Sequence, residues 1–133
     1  MTIFSKIIAG EIPAYKIAEN DKFLAFLDIF PVQKGHTLVI PKIEVDKIFD
    51  VPDEFLGELL LFAKPVAKAI ETIVGCNRVN ILTVGLEVPH AHVHLIPTDY
   101  ANDLHLENKK LKFSTEEFEE LQKQIVEEIA RNA

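Results

Sequence analysis

Cysteine, tryptophan and arginine are nearly or wholly missing from the 133 residues: one cysteine, no tryptophan and two arginines, Arg78 and Arg131. A lone Cys76 excludes an internal disulfide and a zinc site built from cysteines, and makes a reducing, cytoplasmic setting the default expectation. Basic charge is also short, with 14 Lys+Arg against 21 Asp+Glu and a net charge of −7. That balance lacks the basic footprint of a nucleic-acid binder, although one small phosphorylated ligand needs only a few local donors. No apolar run approaches the roughly eighteen residues of a membrane span. The opening Met-Thr-Ile-Phe-Ser-Lys has neither the basic region nor the apolar stretch of a signal peptide.

What remains is ordinary globular composition, 48% apolar and 26% charged. It predicts one domain over residues 1–133, without repeats or low-complexity segments. Ile3 to Gly10 reads as a short helix stopped by its glycine. Tyr15 to Glu19 and Lys22 to Asp28 read as a hairpin around Asn20-Asp21, and His36 to Ile40 as a third strand. From Pro52 to Gly75, Leu56, Leu59, Ala63, Val66, Ile70 and Ile73 step by three and four, which predicts the main helix. Pro65 is expected to kink or divide it.

Arg78 to Val84 and His90 to Ile96 are expected as the last two strands, followed by a polar connector over 97–113. Ser114 and Glu117 form a capping box, with Phe113 and Phe118 placed as a hydrophobic staple, at the head of a terminal helix over 114–131. Its inward stripe is Phe118, Leu121, Ile125 and Ile129. Glu116, Glu119, Glu120, Glu127 and Glu128 are expected on a solvated opposite face. The sum is an α+β chain with about five mostly antiparallel strands.

Three of the five histidines stand in His90-Ala91-His92-Val93-His94-Leu95-Ile96. On a regular strand the three imidazoles share one face while Ala91, Val93 and Leu95 point into the core. One reading is a metal site. His90 and His94 would then lie about 13 Å apart, so a pair with outside ligands is feasible but tetrahedral coordination by all three is not. A second reading is a histidine nucleophile, His92, flanked by imidazoles that fix its tautomer and donate to phosphoryl oxygens. A third is histidines satisfied structurally, without chemistry.

The alternation of histidine with apolar residues over 90–96 resembles the signature of the histidine-triad (HIT) superfamily. Ile3-Phe4, Lys6-Ile7-Ile8, Glu11-Ile12-Pro13-Ala14 and Leu24-Ala25-Phe26-Leu27-Asp28-Ile29 resemble its amino-terminal half. Gly35-His36-Thr37-Leu38-Val39-Ile40-Pro41-Lys42 is similar to its second strong block. The likeness covers residues 3–97 and implies a HIT-like fold and a homodimer. It implies a hydrolase or transferase acting on a purine nucleotide or nucleotide conjugate, without cofactor or metal. His92 would attack an α-phosphate, His94 would contact the phosphate and leaving group, and His90 and His36 would support them. Ile3, Phe4, Ile12, Phe26 and Ile29 would form the base pocket, Asp28 would hold the ribose, and Gly85 and Glu87 would lie near the phosphate.

The chain departs from the family pattern in two places. The segment Thr83-Val84-Gly85-Leu86-Glu87 before the triad is short, and Leu86 stands where glutamine is common. This favours a small leaving group, as in a nucleoside phosphoramidate, over a dinucleoside polyphosphate. A nucleotide-binding module without turnover stays open beside both. Some relatives hold a structural zinc where this chain has Thr2, Ser5 and Glu44, so no structural zinc is expected.

Overall fold

The computed structural model describes residues 1–133. Helix α1 (Ile3–Ile8) leads into strands β1 (Lys16–Glu19), β2 (Phe23–Leu27) and β3 (Thr37–Pro41). Helix α2 (Asp53–Val74), strands β4 (Arg78–Leu82) and β5 (Val93–Thr98), and helix α3 (Thr115–Arg131) follow. The five strands form one sheet in the order β1-β2-β3-β5-β4, antiparallel at every pairing. The expected α+β class with a long central helix and two flanking ones is what is found. No helix is long and apolar enough to cross a membrane.

Side-chain alternation along the central strands divides the core into two clusters. On one face Phe23, Ala25, Leu27, Val39, Val93 and Leu95 pack with Leu59, Ala63, Val66 and Ile70 of α2 and with Phe118, Leu121 and Ile125 of α3. On the other, Leu24, Phe26, Leu38 and Ile40 pack with Phe4 and Ile7 of α1. Covering both faces explains why β2, β3 and β5 are buried at every position. It also makes α1 the lid of the second face, where the histidines lie.

Several expectations need correction. Pro65 lies inside α2 but does not divide it, for the helix runs 22 residues unbroken. The buried stripe continues on both sides of it, through Leu59 and Ala63 and then Val66, Ala69 and Ile70, so packing on one sheet face keeps the helix continuous across the proline. Strand β5 begins at Val93, later than the expected His90. The N–H of His90 turns to the Val88 carbonyl at 2.8 Å and that of Ala91 to the Val45 carbonyl at 2.6 Å, which takes both out of the ladder.

The capping box and staple of α3 form as expected, with the Phe113 and Phe118 rings edge to face at 5.6 Å. Glu128, however, is buried rather than solvated. It follows Leu121 and Ile125 at inward spacing, and its carboxylate accepts from Arg131 at 3.1 Å and Asn132 at 2.9 Å.

Gly35 sets the start of β3 and therefore the place of His36. Its φ is +89°, and an added Cβ would stand 2.7 Å from Cγ2 of Val74 at the end of α2. Gly35→Ala should therefore lower stability by about 2 kcal/mol, through left-handed strain and the clash together. Urea unfolding of the two proteins measures it, and a midpoint unchanged at equal m-value would refute it.

Candidate histidine site

The site gathers side chains from opposite ends of the chain. Leu38 of β3 pairs with His94 of β5, and Phe26 of β2 pairs with Leu38, which sets one row of side chains on the face that α1 covers. The N–H of Asp28 bonds the His36 carbonyl at 3.0 Å, extending the β2–β3 ladder and bringing Asp28, His36 and His94 together. Their ligand atoms all lie within 4.8 Å of one another.

The three triad histidines do not stand on an exposed face, as a regular strand would place them. His36, His90, His92 and His94 are all buried. Phe4 of α1 packs its ring edge-on against His92 at 5.0 Å and His90 at 5.8 Å.

The partners of each ring fix its tautomer. A neutral imidazole has one donor and one acceptor. His36 Nδ1 accepts from the Val32 N–H at 3.2 Å, so its Nε2 carries the proton and donates to His94 Nδ1 at 2.8 Å. The proton of His94 is thereby placed on Nε2. Asp28 Oδ2 lies 3.6 Å from His36 Nε2, while its Oδ1 accepts from the Phe30 N–H at 2.8 Å. His92 Nδ1 donates to the His90 carbonyl at 2.7 Å, which leaves the lone pair on Nε2. His90 Nε2 donates to the Pro41 carbonyl at 2.9 Å, so its Nδ1 accepts.

Two nitrogens are left without protein partners, Nε2 of His92 and Nε2 of His94. No fully buried side-chain nitrogen or oxygen is unpaired, so both atoms reach solvent. The two rings are neighbours, edge to face with centroids 5.1 Å apart, so adjacent rings offer an imidazole lone pair and an imidazole N–H. That pairing can attack an electrophile and hydrogen-bond its oxygens.

A metal ion held jointly by His36, His90 and His94 fits poorly. His90 has both nitrogens engaged and does not converge with His94. The two nitrogens of the His36–His94 pair are 2.8 Å apart and share a proton, closer than the roughly 3.4 Å between two tetrahedral zinc ligands. Thr2, Ser5 and Glu44, where no structural zinc is expected, do converge, together with His90, but as a hydrogen-bond network. Ser5 Oγ donates to Glu44 Oε1 at 2.5 Å, and Thr2 Oγ1 lies 3.1 Å from His90 Nδ1. Two neutral hydroxyls lie outside the usual zinc set, so these residues do not fit that ion.

The residues expected at a nucleotide pocket differ in burial. Phe4 and Phe26 are buried edge to face at 5.8 Å, and Ile12 packs half-buried against the same cluster. Ile3 and Ile29 are 49% and 54% exposed and stand outside that cluster. Gly85 has a φ of +70° with open space around it, and Glu87 is exposed. Neither is hydrogen-bonded to a histidine.

Sequence reasoning missed three contributors. Thr83 donates its hydroxyl to the His92 carbonyl at 2.8 Å. Val88 packs on the Phe4 cluster. The connector after β5 returns through a Leu111–Pro31 backbone bond, bringing the charge of Lys110 to bear on His36 and His94. None of the three has a local sequence signal, because each depends on a tertiary contact.

Burial pushes the pKa of His36 from the ordinary 6.5 down to about 4, with Lys110 adding to the effect. Burial pushes His94 down to about 3, helped by His36 and His92 and opposed by Asp28. Burial also lowers His90, against the opposing influence of the Pro41 carbonyl and Glu44.

On acidification the unfolded chain protonates His36 and His94 near pH 6.5, whereas in the folded chain His36 resists until about pH 4 and His94 until about pH 3. Stability is therefore full above pH 6.5 and lost as pH falls through that window. From His36 alone the loss at pH 5 is about 2 kcal/mol. Denaturant midpoints should fall from pH 7 to pH 5, less steeply in His36→Asn; parallel pH profiles for the two proteins would contradict this.

Residues 9–101 match the family model described as HIT domain. An uncharacterised HIT-like protein of Borreliella burgdorferi is 40% identical over 132 residues, spanning 92% of this chain and 94% of the relative. An adenosine 5′-monophosphoramidase of Saccharomyces cerevisiae is 44% identical over 100 residues, 71% of this chain and 61% of the relative. Among solved structures, a hypothetical histidine triad nucleotide-binding protein of Sulfolobus tokodaii superposes with a TM-score of 0.84. Its sequence is 34% identical, with 96% of this chain and 91% of that one covered.

Proposed function

The chain belongs to the HIT family, and from that membership we propose that it hydrolyses nucleoside phosphoramidates or similar AMP conjugates, with His92 as the nucleophile. The observation that carries the reading is the bond from His92 Nδ1 to the His90 carbonyl, which leaves the Nε2 lone pair free at the solvent-reaching edge of the ring. Attack by that lone pair on the α-phosphorus forms a P–N bond to His92 as the bond to the leaving group breaks. The positive charge gained by the ring is shared through Nδ1–H with the carbonyl already facing it. The departing group takes the bonding pair and a proton drawn from solvent at this open edge. Water then attacks the phosphorus, the P–N bond to His92 breaks with its pair returning to Nε2, and the nucleotide leaves as a proton goes back to solvent.

His94 donates Nε2–H to a phosphoryl oxygen, held in that tautomer by His36. Asp28 takes the ribose hydroxyls, since its carboxylate keeps spare lone pairs beyond its bond to Phe30. Phe4, Phe26 and Ile12 offer the apolar floor for a purine, with Ile3 and Ile29 as its exposed rim. Gly85 and Glu87 lie on the segment that leads from β4 to the histidines and border the phosphates. The phosphoramidase name of the yeast relative agrees with the leaving group chosen here.

A small leaving group also suits the segment before the triad. A polyphosphate bridge needs many donors along its length, whereas Leu86 is exposed and has none in its side chain. A net charge of −7 adds no long-range attraction for such a substrate. In a test with adenosine phosphoramidate, wild type should release AMP. His92→Ala should lower kcat on the order of a thousandfold while AMP binding stays within about tenfold. Turnover by the variant near the wild-type rate would end the assignment. A tenfold higher kcat/KM for diadenosine tetraphosphate, about 1.4 kcal/mol, would end the substrate preference.

The same reading includes a homodimer. Strand β4 is a sheet edge paired only to β5, and its Ile81 is 49% exposed. An open edge with apolar side chains favours pairing with a second strand. Light scattering should give twice the monomer mass at micromolar concentration; a monomer there would refute it.

A further inference from the structure

A second polar network lies behind the histidines and is left unused by the reaction as described. Thr2, Ser5 and Glu44 come from the head of α1 and the loop after β3. Glu44 Oε1 accepts from the Thr2 N–H at 3.0 Å and from the Ser5 hydroxyl at 2.5 Å. Thr2 Oγ1 accepts from the Ser5 N–H at 3.0 Å, capping α1. With the Ser5 hydroxyl proton committed to Glu44, the single Thr2 hydroxyl proton has two acceptors in reach, Ser5 Oγ at 3.2 Å and the buried His90 Nδ1 at 3.1 Å. The imidazole nitrogen, the stronger acceptor and otherwise without a donor, takes it, and the Ser5 contact to that ring at 3.5 Å is secondary.

His90 is 0% exposed, with its other nitrogen on the Pro41 carbonyl. Its ring is therefore gripped at both ends, by a strand end on one side and by α1 on the other. The backbone carbonyl of this same residue accepts the Nδ1–H of His92. Fixing the His90 ring fixes the acceptor that sets the His92 tautomer.

We propose that Thr2, Ser5 and Glu44 form a hydrogen-bonded clip that positions the nucleophile, by holding His90 so that its carbonyl faces Nδ1 of His92. The three are positioning residues, acting through His90. The proposal rests on His92 being the nucleophile, but its structural half is independent of turnover. A neutral clip hydroxyl donates to His90 Nδ1 only if the His90 proton sits on Nε2. Two further features fit the role. The Glu44 carboxyl is held below the ordinary carboxylate range, chiefly by the Ser5 hydroxyl and the Thr2 N–H, so the anchor is an anion. Helix α1, six residues long, is too short to persist alone and needs such ties.

The experiment compares Thr2→Val, which keeps the shape but removes the donor, with Thr2→Ser, which restores it. With adenosine phosphoramidate, Thr2→Val should lose about tenfold in kcat with KM within twofold, and Thr2→Ser should return to within twofold of wild type. Loss of the α1 cap alone would lower thermal stability without that selective fall in kcat. Nitrogen-15 spectra of the histidine rings supply the second readout. In wild type His90 should be protonated on Nε2 and accepting at Nδ1; in Thr2→Val the Pro41 carbonyl keeps the proton on Nε2, and the Nδ1 resonance should move to that of an imidazole nitrogen without a hydrogen bond.

A Thr2→Val enzyme with wild-type kcat would overturn the proposal. So would a wild-type His90 protonated at Nδ1. If wild type releases no AMP, the reaction assignment fails by itself, and the spectra still decide whether the clip exists.

Discussion

A neutral imidazole offers one proton and one lone pair, and four of them are buried together here. Each ring nitrogen out of reach of water must find a partner of the right kind. Backbone groups at known positions supply the first partner in three cases: the Val32 N–H for His36, the Pro41 carbonyl for His90, and the His90 carbonyl for His92. Backbone chemistry cannot change sign, so each of these bonds dictates where the proton sits. The fourth tautomer, that of His94, follows from His36. What is left over is one lone pair and one N–H, on adjacent rings, and the reactive capacity of the site is that remainder.

This arrangement depends on a sheet covered on both faces. The large cluster under α2 and α3 makes β2, β3 and β5 rigid, and the opposite face is then free to carry chemistry at strand ends. Asp28, His36 and His94 occupy one end of neighbouring strands, while His90 reaches back to Pro41 at the other end of β3. Helix α1 closes this face with Phe4 and Ile7. A six-residue helix contributes little stability of its own. Its place is determined by the apolar cluster and the polar clip together, which ties the geometry near His92 to residues at the start of the chain.

Most of the architecture could be read from the sequence because its signals are local. The stepping apolar positions of α2, the capping box at Ser114 and the turn at Asn20-Asp21 each declare themselves within a few residues. The alternating histidines marked the site, and His36 was found through the block that contains it. What escaped the sequence was tertiary in origin. A strand beginning at His90 was expected from alternation alone, but the Val45 carbonyl takes the Ala91 N–H and ends the ladder early. Glu128 looked like one more surface acid until Arg131 and Asn132 closed on it. The exposure of Ile3 at the first position of α1 and of Ile29 beyond the end of β2 has no local signal in the sequence either.

Burial and catalysis meet in the His36–His94 pair. Keeping both rings neutral costs stability in acid but preserves a directional N–H at His94 Nε2, which a freely titrating surface histidine would offer only part of the time. Were His94 a cation, a positive charge would stand on a ring whose centroid is 5.1 Å from that of His92. A bound phosphate changes the balance, because a nearby negative charge favours the protonated form and offsets the desolvation that opposes it. On the reaction proposed above, His36 and His94 would stay neutral until a phosphate arrived, and the proton-donating power of His94 would rise only in that complex. Asp28, which already raises the His94 pKa slightly against its burial, acts in the same direction from the β2 end. A ribose hydroxyl bonded to that carboxylate would weaken its pull, leaving the phosphate as the dominant negative charge felt by His94.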